Sequence, residues 1–198
     1  YLKDLFESII NKQEEILEKS NWLFNFVGYI KLLLFVIFAS NIYFLIARGD
    51  NFTLKIVAAI LFVIQITAWI YHTRIRDRIA HSKGIIEINQ RHLARLTGKW
   101  VEFIDIGEEF IDLEHSYSYD LDIVGKKSLF QFLNTTHTWH GRHAFADDLL
   151  HALYSKEKIN QRQEAVAELS KDNEFASELE YRFSRIGNDP AAHTLDRK

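Results

Sequence analysis

One short segment of this sequence comes close to a phosphate-binding loop, with Gly125 followed by two lysines and Ser128. The loop of P-loop ATPases needs a glycine five residues before its second glycine, and Asp120 stands at that position. It also needs Ser or Thr directly after one lysine, but Lys127 separates Lys126 from Ser128. Because this spacing cannot form the cradle of backbone N–H groups, we predict that this chain by itself neither binds nor hydrolyses ATP.

Three histidines follow at intervals of three residues: His137, His140 and His143. Imidazole nitrogens bind zinc or copper, so the repeat raises the question of a metal site. Three-residue spacing with Gly141 between them does not aim all three side chains at one point, and the chain has no cysteine to complete a zinc site. We predict no metal site, no catalytic residue and no bound cofactor within these residues.

Residues 101–122 carry eight Asp or Glu side chains and no Lys or Arg. Clustered carboxylates can bind a divalent cation or act as an acid–base pair. The segment lacks the ligand spacing of an EF-hand and its final glutamate. We interpret it as an acidic connector, either a short strand or an extended segment, which faces solvent or a basic helix.

The residues after the connector carry several helix signals. Ser128 suits the N-cap of a short helix, and the hydroxyls of Thr136 and Thr138 can cap backbone groups before the next helix. Gly141 permits close packing at the start of that helix, and a further helix begins near Ser155. These features alone predict a group of packed helices.

This segment resembles the helical core domain of the MutS family of mismatch-repair ATPases. The resemblance rests on two motifs, and their matching residues are Asp120, Leu121, Gly125, Ser128, Leu129, Phe130, Leu133, Asn134, Thr136, Thr138, Gly141 and Arg142, then Ile159, Arg162, Gln163, Ala165, Val166 and Leu169. The chain departs from the family pattern at His143, Asp148 and Ala152. No segment resembles the family's mismatch-reading domain with its Phe-x-Glu element.

The resemblance implies a structural role for ten motif residues: Asp120, Gly125, Ser128, Asn134, Thr136, Thr138, Gly141, Arg142, Arg162 and Gln163. For Arg162 we expect a buried or bridging polar contact. The resemblance also implies that ATP and Mg²⁺ bind to an ATPase domain beyond Lys198 in a longer protein, and that this protein forms a homodimer.

Long helices must position these motifs, because the 198 residues include only one proline. A hydrophobic fraction of 47% excludes a disordered chain. Residues 32–47 and 56–71 contain no charge, and each run spans about 24 Å as a helix, against about 30 Å for a bilayer core. Lys31 and Lys55 at their edges can reach the headgroups. Since only eight residues join the runs, we predict an antiparallel membrane hairpin; a buried soluble hairpin is the alternative.

Basic residues set the expected orientation. Four of them follow the second run, Arg74, Arg76, Arg78 and Lys83, whereas the turn offers only Arg48 and Lys55. The positive-inside rule therefore places both termini in the cytoplasm. We expect the four residues to face anionic lipid, with nucleic acid as the alternative partner. A net charge of −3 excludes a uniformly basic nucleic-acid binder.

We therefore predict a mainly α chain of five segments: an amphipathic helix (1–21), a two-span transmembrane hairpin (22–71), a long basic juxtamembrane helix (72–100) with Gly84 as a candidate kink, an acidic connector (101–122) and the start of a MutS-like helical core (123–198). This order of segments resembles the membrane-associated MutS-like branch. The expected function is membrane anchoring of a core that relays nucleotide state from a downstream ATPase. Two alternatives remain open: a nonenzymatic membrane scaffold, and a soluble helical module that binds nucleic acid. DNA binding by the protein also remains open.

Overall fold

The computed structural model describes residues 2–49, 51–151 and 155–187. All regular secondary structure in these ranges is helical, which confirms the predicted fold class. The six α-helices fall into two units. We call residues 11–83 the hairpin unit, and residues 1–10 with 84–198 the core unit.

Two long helices account for nearly half of the chain: α1 (Leu2–Arg48) and α2 (Phe52–Leu96). The predicted amphipathic helix and the first apolar run are therefore parts of one continuous helix. The second apolar run continues into the basic segment without a break. No proline interrupts either helix, because the only proline of the chain is Pro190.

Within the hairpin unit, α1 and α2 run side by side in opposite directions. Phe24 stacks on His72 with ring centroids 4.0 Å apart, and Phe38 contacts Phe62 at 6.3 Å. Since the partner number on α2 falls as the number on α1 rises, the two helices are antiparallel. This arrangement agrees with the predicted hairpin.

The apolar runs of the hairpin unit face outward. Each helix contains an 18-residue window of high mean hydropathy, 2.2 in α1 and 2.1 in α2, and no residue of either window is buried inside the protein. Both helices extend well beyond the 16-residue runs, so they are long enough to cross a bilayer. Length and composition thus suggest membrane association.

In the core unit, two 3₁₀ turns shape the acidic connector, Lys99–Glu102 and Glu108–Phe110. The short strand that we considered for this segment does not form among the described residues. A physical reason is that Gln131 Nε2 donates to the Phe103 carbonyl oxygen at 2.6 Å and to that of Val101 at 3.3 Å. A side chain therefore satisfies backbone groups that a strand would have paired.

Four shorter helices complete the core unit: α3 (Leu129–Leu133), α4 (Trp139–Leu150), α5 (Lys156–Leu169) and α6 (Asn173–Gly187). The expected caps of the first two are confirmed, because Ser128 Oγ accepts from the Gln131 N–H at 3.2 Å and Thr138 Oγ1 accepts from the Gly141 N–H at 3.1 Å. α5 begins directly after Ser155, as predicted.

Gly84 lies inside α2 and has a different role from the kink that we considered. A Cβ atom built at this position would collide with the ring of Tyr181 on α6. The small size of glycine, rather than its flexibility, therefore explains this residue, because it lets a large aromatic ring pack directly on the backbone of α2.

Candidate functional site

Two motif residues of the core unit, Asn134 and Arg142, converge on one carboxylate, that of Asp105 in the connector. Arg142 donates to it twice, from Nε at 2.8 Å and from Nη2 at 2.6 Å. Asn134 Nδ2 donates to the same carboxylate at 2.7 Å. Hydrogen bonding from Arg142 is the main reason why the pKa of Asp105 lies below its usual value, although partial burial opposes this effect. Two motif residues thus hold the connector in place.

Aromatic rings enclose the Arg142 guanidinium. Its central carbon lies 5.0 Å from the centre of the Phe110 ring and 5.5 Å from that of Phe130. Phe130 is completely buried, and it also contacts Phe145 of α4. Glu109 supplies a second carboxylate, which accepts from Arg142 Nη2 at 2.9 Å. The ion pair with Asp105 is therefore partly shielded from water, which strengthens it.

Arg95 of α2 extends this network to the end of α3. Its Nε donates to the Phe132 carbonyl oxygen at 2.8 Å, and its Nη2 donates to the Asn134 carbonyl oxygen at 2.6 Å. Both carbonyls belong to the end of a helix, where oxygens lack partners within the helix and a cation is favourable. Asn134 therefore links α2 to the Asp105–Arg142 pair.

A second polar cluster joins α6 to α2 through Glu180, and we call it the Glu180 clasp. His92 Nε2 lies 2.9 Å from Glu180 Oε2, and His137 Nε2 lies 3.1 Å from Glu180 Oε1. Burial alone raises the pKa of Glu180, but hydrogen bonds from His137 and His92 and the charges of the imidazoles outweigh it and lower the pKa to about 2. The carboxylate is thus held ionised at neutral pH.

A further contact between α2 and α6 lies three residues before the His92–Glu180 contact on each helix. Asn89 Nδ2 donates to Ser177 Oγ at 3.2 Å and to the Ile85 carbonyl oxygen at 2.8 Å. Asn89 and Ser177 are both buried. This bond satisfies polar groups that would otherwise be costly to bury, so it fixes the register of α6 on α2.

A cavity of about 440 Å³ opens beside the Glu180 clasp. Leu169, Leu179 and Phe183 provide much of its apolar lining, while Thr136 and Thr138 add hydroxyls. Glu180 has no proton to donate at neutral pH, because its pKa is about 2. The residues that meet here are therefore suited to holding helices together rather than to general acid catalysis.

The histidine repeat does not converge. His137 contacts Glu180, whereas the ring of His143 stacks on Trp139 with centroids 3.7 Å apart. Within the described ranges, no group of three or more His, Asp or Glu residues is arranged to hold a metal ion.

Two backbone donors of the loop before Ser128, those of Gly125 and Lys127, are already used. The Gly125 N–H donates to the Ile106 carbonyl oxygen at 2.8 Å, and the Lys127 N–H donates to Gln131 Oε1 at 2.7 Å. Gly125 has a φ of 104°, which favours glycine. This loop therefore anchors the connector to α3.

The remaining sequence-derived site residues lie apart from this network. Arg162 on the exposed helix α5 bridges to Asp148 on α4 at 2.7 Å, while Gln163 and Asp120 are exposed. In the hairpin unit, α2 carries four exposed basic side chains: Arg74, Arg76, Arg78 and Lys83.

The sequence did not predict a role for several residues that form these polar contacts: Asn89, His92, Arg95, Asp105, Ser177 and Glu180. Helix α6 carries a visible signal, because Phe175, Leu179, Phe183 and Ile186 recur at helical spacing. Asp172 provides a second signal, since its Oδ1 caps α6 by accepting from the Phe175 N–H at 2.9 Å. Both could have placed Glu180 on a helix, but neither indicates its histidine partners.

Comparison with known proteins relates the segment that contains α3–α6 to one family. Residues 112–194 match the family model of MutS domain III, a match that includes α3–α6 and supports a relationship with the MutS family. Asp105 and the α2 residues of the network lie outside the matched range. No curated protein and no solved structure matches the chain.

Proposed function

We propose that this chain is the membrane-anchoring part of a MutS-like ATPase, in which a transmembrane hairpin carries a helical core that relays nucleotide state. The observation that carries this proposal is the continuity of α2. The helix that contains the second apolar run also supplies Asn89, His92 and Arg95, which bond to the helices of the MutS-like segment. One continuous helix is thus shared by the anchor and the core.

The exposed apolar surface of the hairpin unit supports insertion into a bilayer. In a soluble protein, two helices of this hydropathy would form a buried core, but no residue of either apolar window is buried. Exposing that much apolar surface to water is unfavourable, whereas acyl chains would cover it. Under the positive-inside rule, both termini and the core unit lie in the cytoplasm.

The basic residues of α2 support lipid rather than nucleic acid as the partner. In the core unit, Arg91 packs on the Phe103 ring, and Arg95 donates to carbonyl oxygens. The exposed arginines Arg74 and Arg76 instead follow directly after the apolar run of α2. That position is the depth of anionic headgroups, which attract each nearby Lys or Arg by about 1 kcal/mol.

The proposed relay uses the contacts that fix α6 and α3 on α2. A change at a downstream ATPase would reach α6 through packed helices, and the Glu180 clasp would pass it to α2. ATP with Mg²⁺ would bind in that downstream domain, and a homodimer would complete its sites. DNA is the candidate ligand of such an ATPase.

Calorimetric titration with ATP and Mg²⁺ tests the nucleotide part of this proposal. We expect no binding by residues 1–198, because the segment Gly125–Ser128 lacks the P-loop spacing and two of its backbone donors are in use. We expect binding by the longest natural chain that contains these residues. Binding by residues 1–198 would refute our interpretation of Gly125–Ser128, and no binding by the longer chain would favour a nonenzymatic membrane scaffold.

A further inference from the structure

We infer that a groove on the hairpin unit binds the headgroup of an anionic phospholipid. This inference rests on the proposed membrane anchoring and names the lipid class that the anchor selects. The groove is a cavity of about 340 Å³ between α1 and α2, lined by Phe24, Asn25, Gly28, Tyr29, Leu32 and His72. Gly28 adds no side chain to the groove, and a Cβ atom there would lie 3.9 Å from His72 Nε2, in ordinary van der Waals contact.

The groove lies at headgroup depth if the apolar runs span the bilayer. His72 is the first residue after the charge-free run 56–71, and Leu32 is the first residue of the run 32–47. Tyr29, which lines the groove, and Trp22, which precedes it on α1, are both exposed, and Trp and Tyr are enriched at the membrane–water interface. A phospholipid could therefore place its phosphate in the groove and its acyl chains along the apolar faces of the helices.

A polar atom without a partner lines this groove. His72 Nε2 is buried, and it has no hydrogen-bond partner among the described residues. The face of the same imidazole is covered by the Phe24 ring at 4.0 Å. Because the other ring nitrogen donates to the Phe24 backbone, Nε2 is left as an acceptor, and a headgroup hydroxyl such as those of phosphatidylglycerol would donate to it.

The charges around the groove favour an anionic headgroup. Lys31 and Arg76 are the cations whose charges act on the His72 ring. Helix α1 has no Asp or Glu after Glu18, and α2 has none before Asp77. The Asp77 carboxylate pairs with Arg76 at 3.9 Å, so it would attract the ammonium of a zwitterionic lipid only weakly, while Lys31 would repel that group.

Spin-labelled lipids provide a direct test of this selectivity. The chain is reconstituted into phosphatidylcholine vesicles that contain a trace of spin-labelled phosphatidylglycerol or spin-labelled phosphatidylcholine, and the motionally restricted fraction of each is measured. We expect the chain to restrict phosphatidylglycerol about fivefold more strongly than phosphatidylcholine, the ratio that about 1 kcal/mol gives. Gly28→Leu, which fills the groove, should bring this ratio close to one.

Matched variants separate the groove from general effects on the hairpin. Ala39→Leu adds bulk at an exposed position of α1, and it should leave the ratio unchanged. Lys31→Gln should lower the ratio without filling the groove, so it serves if Gly28→Leu fails to insert. If the wild-type chain inserts and restricts both lipids equally, the inference that the groove binds anionic headgroups is refuted, while the membrane anchor is not. Failure of the wild-type chain to enter vesicles would overturn the membrane anchor as well.

Discussion

Replacing Glu180 by glutamine is expected to lower the free energy of unfolding of the core unit by about 3 kcal/mol near pH 5. This value follows from the difference between an ordinary glutamate pKa of 4.5 and about 2 in the folded chain, at about 1.4 kcal/mol per unit. The side chain is only 11% exposed, so solvent screens its hydrogen bonds to His92 and His137 weakly. A glutamine at this position would keep the shape of the side chain and lose its charge.

The same substitution should change how stability depends on pH. Because folding lowers the pKa of Glu180, its contribution is present above pH 4.5 and is lost as the pH falls from 4.5 to about 2. In the Glu180→Gln variant this part of the acid-induced loss should disappear, since a glutamine side chain does not titrate. The variant and the wild type should therefore become similar in stability near pH 2.

Urea unfolding in detergent micelles measures both effects. Trp100 and Trp139 report on the core unit, and Trp22 and Trp69 of the hairpin unit are replaced by Phe in every variant. Glu178→Gln on the same helix is the matched control, because Glu178 pairs with the exposed Arg182 and should contribute about 0.5 kcal/mol or less. Equal losses in the two variants would contradict the importance of the Glu180 clasp.

Arg142→Ala is expected to destabilise the core unit by about 2 kcal/mol. The substitution removes two hydrogen bonds to Asp105, and it also removes the cation from between Phe110 and Phe130. Hydrogen bonds to charged groups contribute about 1.5–3 kcal/mol, and breaking a fully buried ion pair costs about 3–5 kcal/mol. Because Asp105 is partly exposed, the expected value lies below the latter range.

Arg142→Lys shows whether the positive charge alone stabilises the core unit, and Arg162→Ala is the control at an exposed ion pair. Arg142→Lys should recover less than half of the loss, because an ammonium cannot form the paired bonds of a guanidinium. Arg162→Ala breaks an ion pair that is half exposed, so we expect a change within about 0.5 kcal/mol. If Arg162→Ala cost as much as Arg142→Ala in urea unfolding, the Asp105–Arg142 pair would not be a special feature of this core.

Local features of the fold could be predicted from the sequence. Ser128 and Thr138 cap helices because a short hydroxyl side chain accepts from an N–H three residues ahead, and this requires only neighbouring residues. The apolar runs likewise predict long helices, because their length and composition can be read from neighbouring residues. The exposure of those runs needed the structure, because a buried soluble hairpin would show a similar pattern in sequence.

The polar network could not be predicted, because its partners are distant in the chain. His92 and Glu180 are 88 residues apart, and Asp105 and Arg142 are 37 apart. Neither residue of either pair carries a sequence signal that identifies its partner. The motif predicted a structural role for Asn134 and Arg142, but their meeting at Asp105 depends on how Gln131 folds the connector against α3.

Cysteine accessibility in sealed membrane vesicles tests the membrane anchor most directly. The chain has no cysteine, so single cysteines can be introduced at Lys12, Asn51 and Lys99 without removing any other. In right-side-out vesicles, a membrane-impermeant maleimide should label Asn51→Cys at once, and it should label Lys12→Cys and Lys99→Cys only after permeabilisation. Recovery of the chain in the soluble fraction, or labelling of all three positions from the same side, would contradict a membrane-spanning hairpin.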